Sequence, residues 1–514
     1  MRSGDLVTVP SPASVAPTRA GLGLPMVVCL MLTLALRVPF LGRDLGSDES
    51  GLLLVARGWE AGGGGLYGDY WVDRPPLLIG YFALADLVPG EWGPRLLGCL
   101  AAAVLVLSAT VAGQVLRGRN GAWAAGLAAS AGSSYLIAGH EVGGMVQGIA
   151  LVMACCCAVL VTLQRTRTVI GTALGCAIAG AFGVAAVLVK QNLVDGLVFG
   201  AVAVVAARSI GALDARRLVA AGAGGLAGAL SALLVVLGAA ALAGVELNAL
   251  WYALWEFRAD AVRAIAGAST SAPQARFRNT MLVLVASGLA LLVVGFVLLL
   301  PATLATRKRR PAVLGTVALL VVAAGGIVGG GSWWSHYLLQ LVPACCLIAG
   351  IGAPGAPSEL RWRGRLLTSG VAAAALSAVV ACVVGIVITR DPTPEVATAR
   401  AVAEAAESDD TVFVAYGTAE VVLYSRLESD YPTLWSLPMR VLDPEQRRLE
   451  RLLSGRQAPT WLVQVESWSA WGLDEGGALT ALVQERYRSV GSPCGIPILL
   501  LRGEERPTPT CRAR

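Results

Sequence analysis

The sequence predicts an all-α polytopic membrane bundle of about eleven transmembrane helices, followed by a small α/β domain outside the membrane. The chain of 514 residues is 56% hydrophobic and only 14% charged. Apolar runs of about 20 residues, enough to cross a bilayer, recur from residue 23 to residue 389. Beyond residue 390 the long runs give way to short apolar stretches between turns, the signature of strands and short helices.

Taken in order, residues 1–22 read as a disordered cytoplasmic tail, rich in Pro and Ser and without a small-residue cleavage site after the first apolar run. Residues 23–389 form the membrane domain, with spans predicted at 23–41, 95–115, 121–138, 145–163, 169–189, 193–207, 218–243, 281–301, 313–330, 337–352 and 366–389. Gly- and Ala-rich spans such as 218–243 suit close helix packing. The apolar piece from Pro75 to Pro89 is short for a span and carries Asp86, so it reads as an interfacial or re-entrant helix started by Pro75 and Pro76.

Charge supports that threading. With 75–89 excluded, Arg117, Arg119, Arg165, Arg167, Arg208, Arg216, Arg217 and the Arg307-Lys308-Arg309-Arg310 run fall on one side, and most acids on the other. The positive-inside rule then puts the N-terminus in the cytoplasm and residues 390–514 outside, in a multi-pass protein of the plasma membrane. The net charge of +6 is small for this length and argues against a nucleic-acid partner.

In the outer segment, "TVFVAYG", "TWLVQV" and "IPILLLRG" read as strands, while Pro444–Gly455 and Gly477–Arg488 have helical spacing. Nine of the eleven cysteines lie in apolar spans, where they pack as small residues. Cys494 and Cys511 lie outside, and pairing and free thiols are both open to them.

The first outer loop, residues 42–94, carries the most chemistry. In "LGSDESGLLL", Ser47 or Asp48 can cap a helix that includes Leu52, Leu53, Val55, Ala56 and Trp59 and stops at "GGGG", 62–65. Asp48 and Glu49 then sit at a helix N-terminus, where the dipole favours anions and Asp48 is fit to orient a hydroxyl or bind a metal. An acidic first turn with no further role is the commoner use of such a pair. "LYGDYWVDRPPLL" follows, with Arg74 just before the Pro-Pro helix start. A guanidinium there suits a lipid phosphate, although an interfacial anchor is an equal alternative. His140, Glu141, Lys190, Arg258 and His336 fall on the same side from other loops. They carry no metal-ligand spacing, and each alone is more often a packing or interfacial residue.

Together these segments resemble the GT-C polyprenyl-phosphate-sugar-dependent glycosyltransferases, nearest to glycosyltransferase family 39, which includes protein O-mannosyltransferases and lipid A aminoarabinose transferases. The resemblance rests on the Asp48-Glu49 pair after the first span, "LYGDYWVDRPPLL", and "SHYLLQLVPACCLIAG" opening a late span, and covers roughly residues 25–350. It implies a GT-C bundle with interfacial helices in the first outer loop, and transfer of a sugar, with inversion, from a polyprenyl-phosphate donor to a cell-envelope acceptor. By the same resemblance Asp48 would activate the acceptor with Glu49 as partner, and Arg74 would stand near the donor phosphate; Lys190 and Arg258, placed on the same side by the threading, are expected to join Arg74 there. Glu141 would match a second functional acid that is commonly Asp in relatives, with His140 and His336 beside the acceptor. One divalent metal, with Asp48, Glu141 and His336 as candidate ligands, stays open. A transporter of lipid-linked sugars is the competing class, but transporters concentrate ionisable groups near the midplane, whereas these spans hold almost no charge apart from Arg37.

Overall fold

The computed structural model describes residues 22–59, 66–266, 272–354 and 361–511. The predicted tail and Gly62–Gly65 lie outside the described residues, as do the side chains of Arg361 and Arg363. The chain enters the bundle through α1 (Gly23–Arg37) and leaves it for two short helices, α2 (Ser47–Arg57) and α3 (Pro76–Ala85). Pro75 and Pro76 start α3 as predicted, since a proline in the first turn sacrifices no hydrogen bond.

Next comes α4 (Trp92–Gly132), 41 residues that contain two passes. Arg117 and Gly118, the latter at φ 63°, leave helical geometry, and the chain doubles back. The two limbs touch so closely that a Cβ on Gly113 would stand 2.1 Å from the carbonyl oxygen of Gly121. The second limb stops at Gly132, short of the predicted 138, where Tyr135–Ile137 turn and Ala138 adopts a left-handed conformation.

The helices α5 (Met145–Arg165), α6 (Val169–Val189), α7 (Asp195–Ser209) and α8 (Ala215–Leu242) follow. Glycines on α8 let it lie directly on α6: a Cβ at Gly224 or Gly228 would meet the carbonyl oxygen of Ala173 or Ala177 at 2.1 and 1.9 Å. A connection made of α9 (Leu247–Trp251), a π-helical turn and α10 (Phe257–Ala266) leads to α11 (Ala272–Ala286) and α12 (Leu289–Ala305). The single span predicted over 281–301 is broken there, with a bend of 68°. Gly288 sits at φ 75° and a Cβ would lie 2.9 Å from the Ala374 nitrogen, so the crowding neighbour and the left-handed glycine end the helix together. Then come α13 (Arg310–Gly329), a 3-10 turn over Ser335–Leu341, α14 (Val342–Gly352) and α15 (Arg361–Ile388).

Among the described residues eight helices are long and apolar enough to cross a membrane, or nine with the bent pair taken as one span. The second limb of α4 and the 15-residue α7 account for the remaining predicted passes, so all eleven predicted spans meet a helix. The arginine-rich connections converge at one end of this multi-pass membrane protein. There Arg117 donates to the Ile351 carbonyl, Arg217 to Thr166 and Arg307 to Ile210, at 2.9, 2.8 and 2.9 Å.

The C-terminal segment holds α16 (Pro394–Ala405), β1 (Val412–Ala415), α17 (Ala419–Ser425), α18 (Ser436–Leu442), α19 (Arg447–Ser454), β2 (Trp461–Gln464), α20 (Ala478–Arg486), β3 (Tyr487–Gly491) and β4 (Ile498–Leu501). The strands order β1-β2-β4-β3, with β1 and β2 parallel and the other pairs antiparallel. Three strands and two helices lie where the sequence predicts them; β3 does not, because its start reads as the end of a helix. It is an edge strand in which only Tyr487 is buried, so it lacks the apolar run that marks the others. Cys494 and Cys511 form a disulfide, with Cα atoms 5.3 Å apart.

This segment is bound tightly to the first loop. Tyr424 accepts from the Leu45 nitrogen at 2.7 Å, Arg400 pairs with Asp44 at 2.5 Å, and the Trp71 nitrogen donates to the Pro432 carbonyl at 2.7 Å. The C-terminal segment therefore covers the same end of the bundle that carries α2 and α3.

Candidate active site

Neither Ser47 nor Asp48 caps α2. The N-cap is Gly46, and the carboxylate of Glu49, three residues on, reaches back to accept its N–H at 3.0 Å. The helix ends at Gly58, ahead of the predicted stop, and Trp59 packs edge-on against Tyr67 with ring centroids 5.0 Å apart. The sequence reading pairs Glu49 with Asp48 in the chemistry; the structure separates them. Glu49 is buried, its Oε1 accepts from the Val142 nitrogen at 2.8 Å, and its Oε2 also meets Arg95 Nη2 at 2.8 Å. Both oxygens are spent on tying α2, α4 and the 139–143 loop together.

That loop is fixed by two arginines. Arg95 donates to the His140 carbonyl at 2.8 Å, and Arg37, the one charge predicted within a span, donates to the carbonyls of Gly139, His140 and Ser133. The His140 imidazole packs against both Phe40 and Tyr135, at centroid distances of 5.0 and 4.5 Å. Burial, followed by the charges of Arg95 and Arg37, drives its pKa well below the usual range. His140 is thus held neutral against two aromatic rings. Glu141 beside it comes within electrostatic reach of Glu49 and Asp48. Burial first, and Glu49 second, push its carboxyl up to about 8, so it holds a proton at neutral pH.

The cations do come together. Asp73, buried, binds Arg74 at 2.5 Å with one oxygen and Arg258 with the other. Pro75 and Pro76 fix the backbone after Arg74, and Tyr67 donates its hydroxyl to the Arg74 carbonyl at 3.0 Å. Lys190 follows the last turn of α6, where the helix dipole favours a cation, and stands 5.2 Å from the centre of the Tyr337 ring. The neighbouring Gln191 donates to the Asp73 carbonyl at 3.1 Å. His336 and Tyr337 lie on the 3-10 turn ahead of α14, which Gln340 anchors by donating to both oxygens of Asp195 at 3.0 and 3.1 Å.

Asp48 faces this group: Arg74, Lys190 and His336 all feel its charge. Burial opposes the Arg74 guanidinium, but Asp73, Asp48 and Tyr337 together outweigh it, and its pKa lies above the ordinary arginine value. Lys190 moves the other way. Burial and then Arg74 press its ammonium down to about 7, with Arg258 adding to this and Asp48 and Asp73 opposing it. The result is a cluster of two carboxylates, Asp48 and Asp73, two arginines and a lysine whose own charge is opposed by burial.

Three participants escape the sequence reading. Asp73 sits inside the quoted Arg74 motif but looks like one acid among many. Tyr337 lies beside His336 in the "SHYLL" stretch and carries no signal of its own. Trp435, whose indole N–H donates to Asp48 Oδ1 at 3.0 Å, lies 387 residues away in sequence within "YPTLWSLPMRVLDP", and no local pattern links it to α2. Of the candidate metal ligands, Asp48 accepts from Trp435 with Oδ1. Among the described residues no set of three or more His, Cys, Asp or Glu is placed to hold a metal ion. A cavity of about 590 Å³ lined by Leu53, Arg57, Arg400 and Tyr424 lies on the other face of α2 and does not reach the cluster.

No protein-family model and no curated protein sequence matches this chain. Solved structures do. Over 93% of this chain and 97% of the other, it superimposes on ArnT from Cupriavidus metallidurans bound to undecaprenyl phosphate, with a TM-score of 0.62 at 15% identity. The oligosaccharyltransferase of Archaeoglobus fulgidus in its apo form matches with a TM-score of 0.55 at 11% identity, over 91% of this chain and 72% of that one. At such identities the likeness is one of fold, and the fold this chain adopts is that of the GT-C glycosyltransferases.

Proposed function

We propose that this protein is a membrane glycosyltransferase that moves a sugar from a polyprenyl-phosphate donor to a hydroxyl of a cell-envelope acceptor, with inversion at the anomeric carbon. The observation that carries the reading is that Asp48 lies within electrostatic reach of Arg74 and Lys190, while Asp73 ties Arg258 to Arg74. Supporting it, the C. metallidurans ArnT structure of the same fold holds undecaprenyl phosphate.

Asp48 accepts the proton of the attacking hydroxyl while the acceptor oxygen forms its bond to the anomeric carbon. The bond from that carbon to the phosphate oxygen breaks on the opposite side, and its electron pair leaves with the phosphate. Arg74 and Lys190 stabilise the charge that develops there, and Asp73 keeps Arg74 and Arg258 pointed at it. Lys190 regains its full charge when the anion binds, so part of its attraction is released only with the phosphate present.

The test is reconstitution of the full chain in lipid vesicles with a panel of polyprenyl-phosphate sugars. Consumption of one donor with release of the polyprenyl phosphate is the expected result; failure to consume any, alongside transport of the intact lipid-linked sugar between leaflets, would overturn the reading.

A further inference from the structure

Asp48 is asymmetric. Its Oδ1 accepts from the Trp435 indole at 3.0 Å, and the indole itself is seated on α2 at Gly51, where an added Cβ would stand 2.3 Å from the ring. Positions 48 and 51 share one face of the helix, so the ring and the carboxylate are held by the same surface. Oδ2 points elsewhere. It borders Gly143, where an added Cβ would lie 3.6 Å from Oδ2 and from the Asp48 Cβ, in ordinary contact with nothing displaced. The space over Oδ2 is therefore kept by the absence of a side chain in a loop whose backbone is anchored by Glu49 and Arg95.

We infer that the acceptor hydroxyl reaches Asp48 Oδ2 through the gap over Gly143, and that Trp435 of the C-terminal segment is the positioning residue that holds the carboxylate for it. This rests on the glycosyltransferase reading above and assigns it an acceptor route. The N–H on Oδ1 withdraws electron density from that oxygen and fixes the side-chain rotamer, leaving Oδ2 as the proton acceptor. In the step itself the hydroxyl proton passes to Oδ2, the acceptor oxygen bonds to the anomeric carbon, and the phosphate departs with the electron pair.

More of the C-terminal segment borders the same place. Ser47 Oγ accepts from the Ala419 nitrogen at 3.1 Å, and the buried Glu420 next to it leaves its Oε2 without a partner. The C-terminal segment is on this account one wall of the acceptor subsite.

Two variants test the inference in vesicles holding the full chain and whichever polyprenyl-phosphate sugar the wild type consumes. Trp435→Phe keeps an aromatic side chain and removes the indole N–H; kcat is expected to fall about tenfold to a hundredfold with donor KM unchanged, the range of a lost hydrogen bond to a charged group. Gly143→Ala is expected to raise acceptor KM at least tenfold and to leave undecaprenyl-phosphate binding as in the wild type. Wild-type kcat in the first variant, or wild-type acceptor KM in the second, would overturn the inference while the glycosyltransferase reading stands. A wild type that consumes no donor overturns the reading beneath both. If Trp435→Phe fails to fold, the Gly143→Ala result decides alone.

Discussion

Arg95 and Glu49 meet at 2.8 Å with side chains only 4% and 2% exposed, one from the start of α4 and the other from the first turn of α2. Buried pairs of this kind fix arrangement more than they add stability, since the desolvation of two charges offsets their attraction. Here the arrangement fixed is that of the helix bearing Asp48 against the loop bearing Gly143.

Breaking that pair on one side leaves a buried charge alone. Glu49→Gln is expected to destabilise the protein by about 3–5 kcal/mol, and Glu49→Gln combined with Arg95→Met to recover most of the loss. Thermal unfolding in detergent checks this, and a double variant as unstable as the single one would show that the pair is not the source.

Gly51 gives a second prediction. Alanine there drives its methyl into the Trp435 ring, so the indole has to move. Gly51→Ala is expected to cost about 1–3 kcal/mol by overpacking and to expose residues 429–436 to proteolysis sooner than in the wild type. Unchanged cleavage rates would mean that the indole repacks without loosening its segment.

Lys190 supplies the pH dependence. Its pKa lies below that of a free lysine, at about 7, with Arg74, Arg258, Asp48, Asp73, His336 and Tyr337 as its charged and titratable neighbours. The cation is present below about pH 7 and is lost as pH rises through it, so kcat/KM for the donor is expected to decline on the alkaline side of about pH 7. In Lys190→Arg the charge persists and that decline is expected to vanish; a pH profile of donor consumption by both proteins settles it.

Asp73 holds two guanidiniums with one carboxylate. Asp73→Asn is expected to weaken undecaprenyl-phosphate binding about tenfold, because both arginines lose the group that aims them. Titration with the radiolabelled lipid phosphate measures it, and unaltered affinity would remove Asp73 from the account.

Much of the bundle is legible in the sequence because bilayer thickness and charge asymmetry act on every span, and the fold that the Asp48, Arg74 and "SHYLL" segments resemble is the fold observed. What escapes is whatever depends on packing between distant segments. The break at Gly288 is set by the approach of Ala374 on α15, and the edge strand at Tyr487 is set by its neighbour β4. The division of labour between Asp48 and Glu49 follows the same rule. Adjacent in sequence and alike in chemistry, they differ only because Arg95 and Val142 reach one and Trp435 reaches the other. His140 and Glu141 show the converse, since they sit at the expected place but burial sets both neutral at neutral pH.

The most direct measurement is made on Asp48→Asn in vesicles with the donor that the wild type consumes. Because the amide keeps the shape and still offers an oxygen to Trp435, the account predicts normal folding and normal undecaprenyl-phosphate binding, with sugar transfer reduced by about a hundredfold or more. Transfer at the wild-type rate would contradict it.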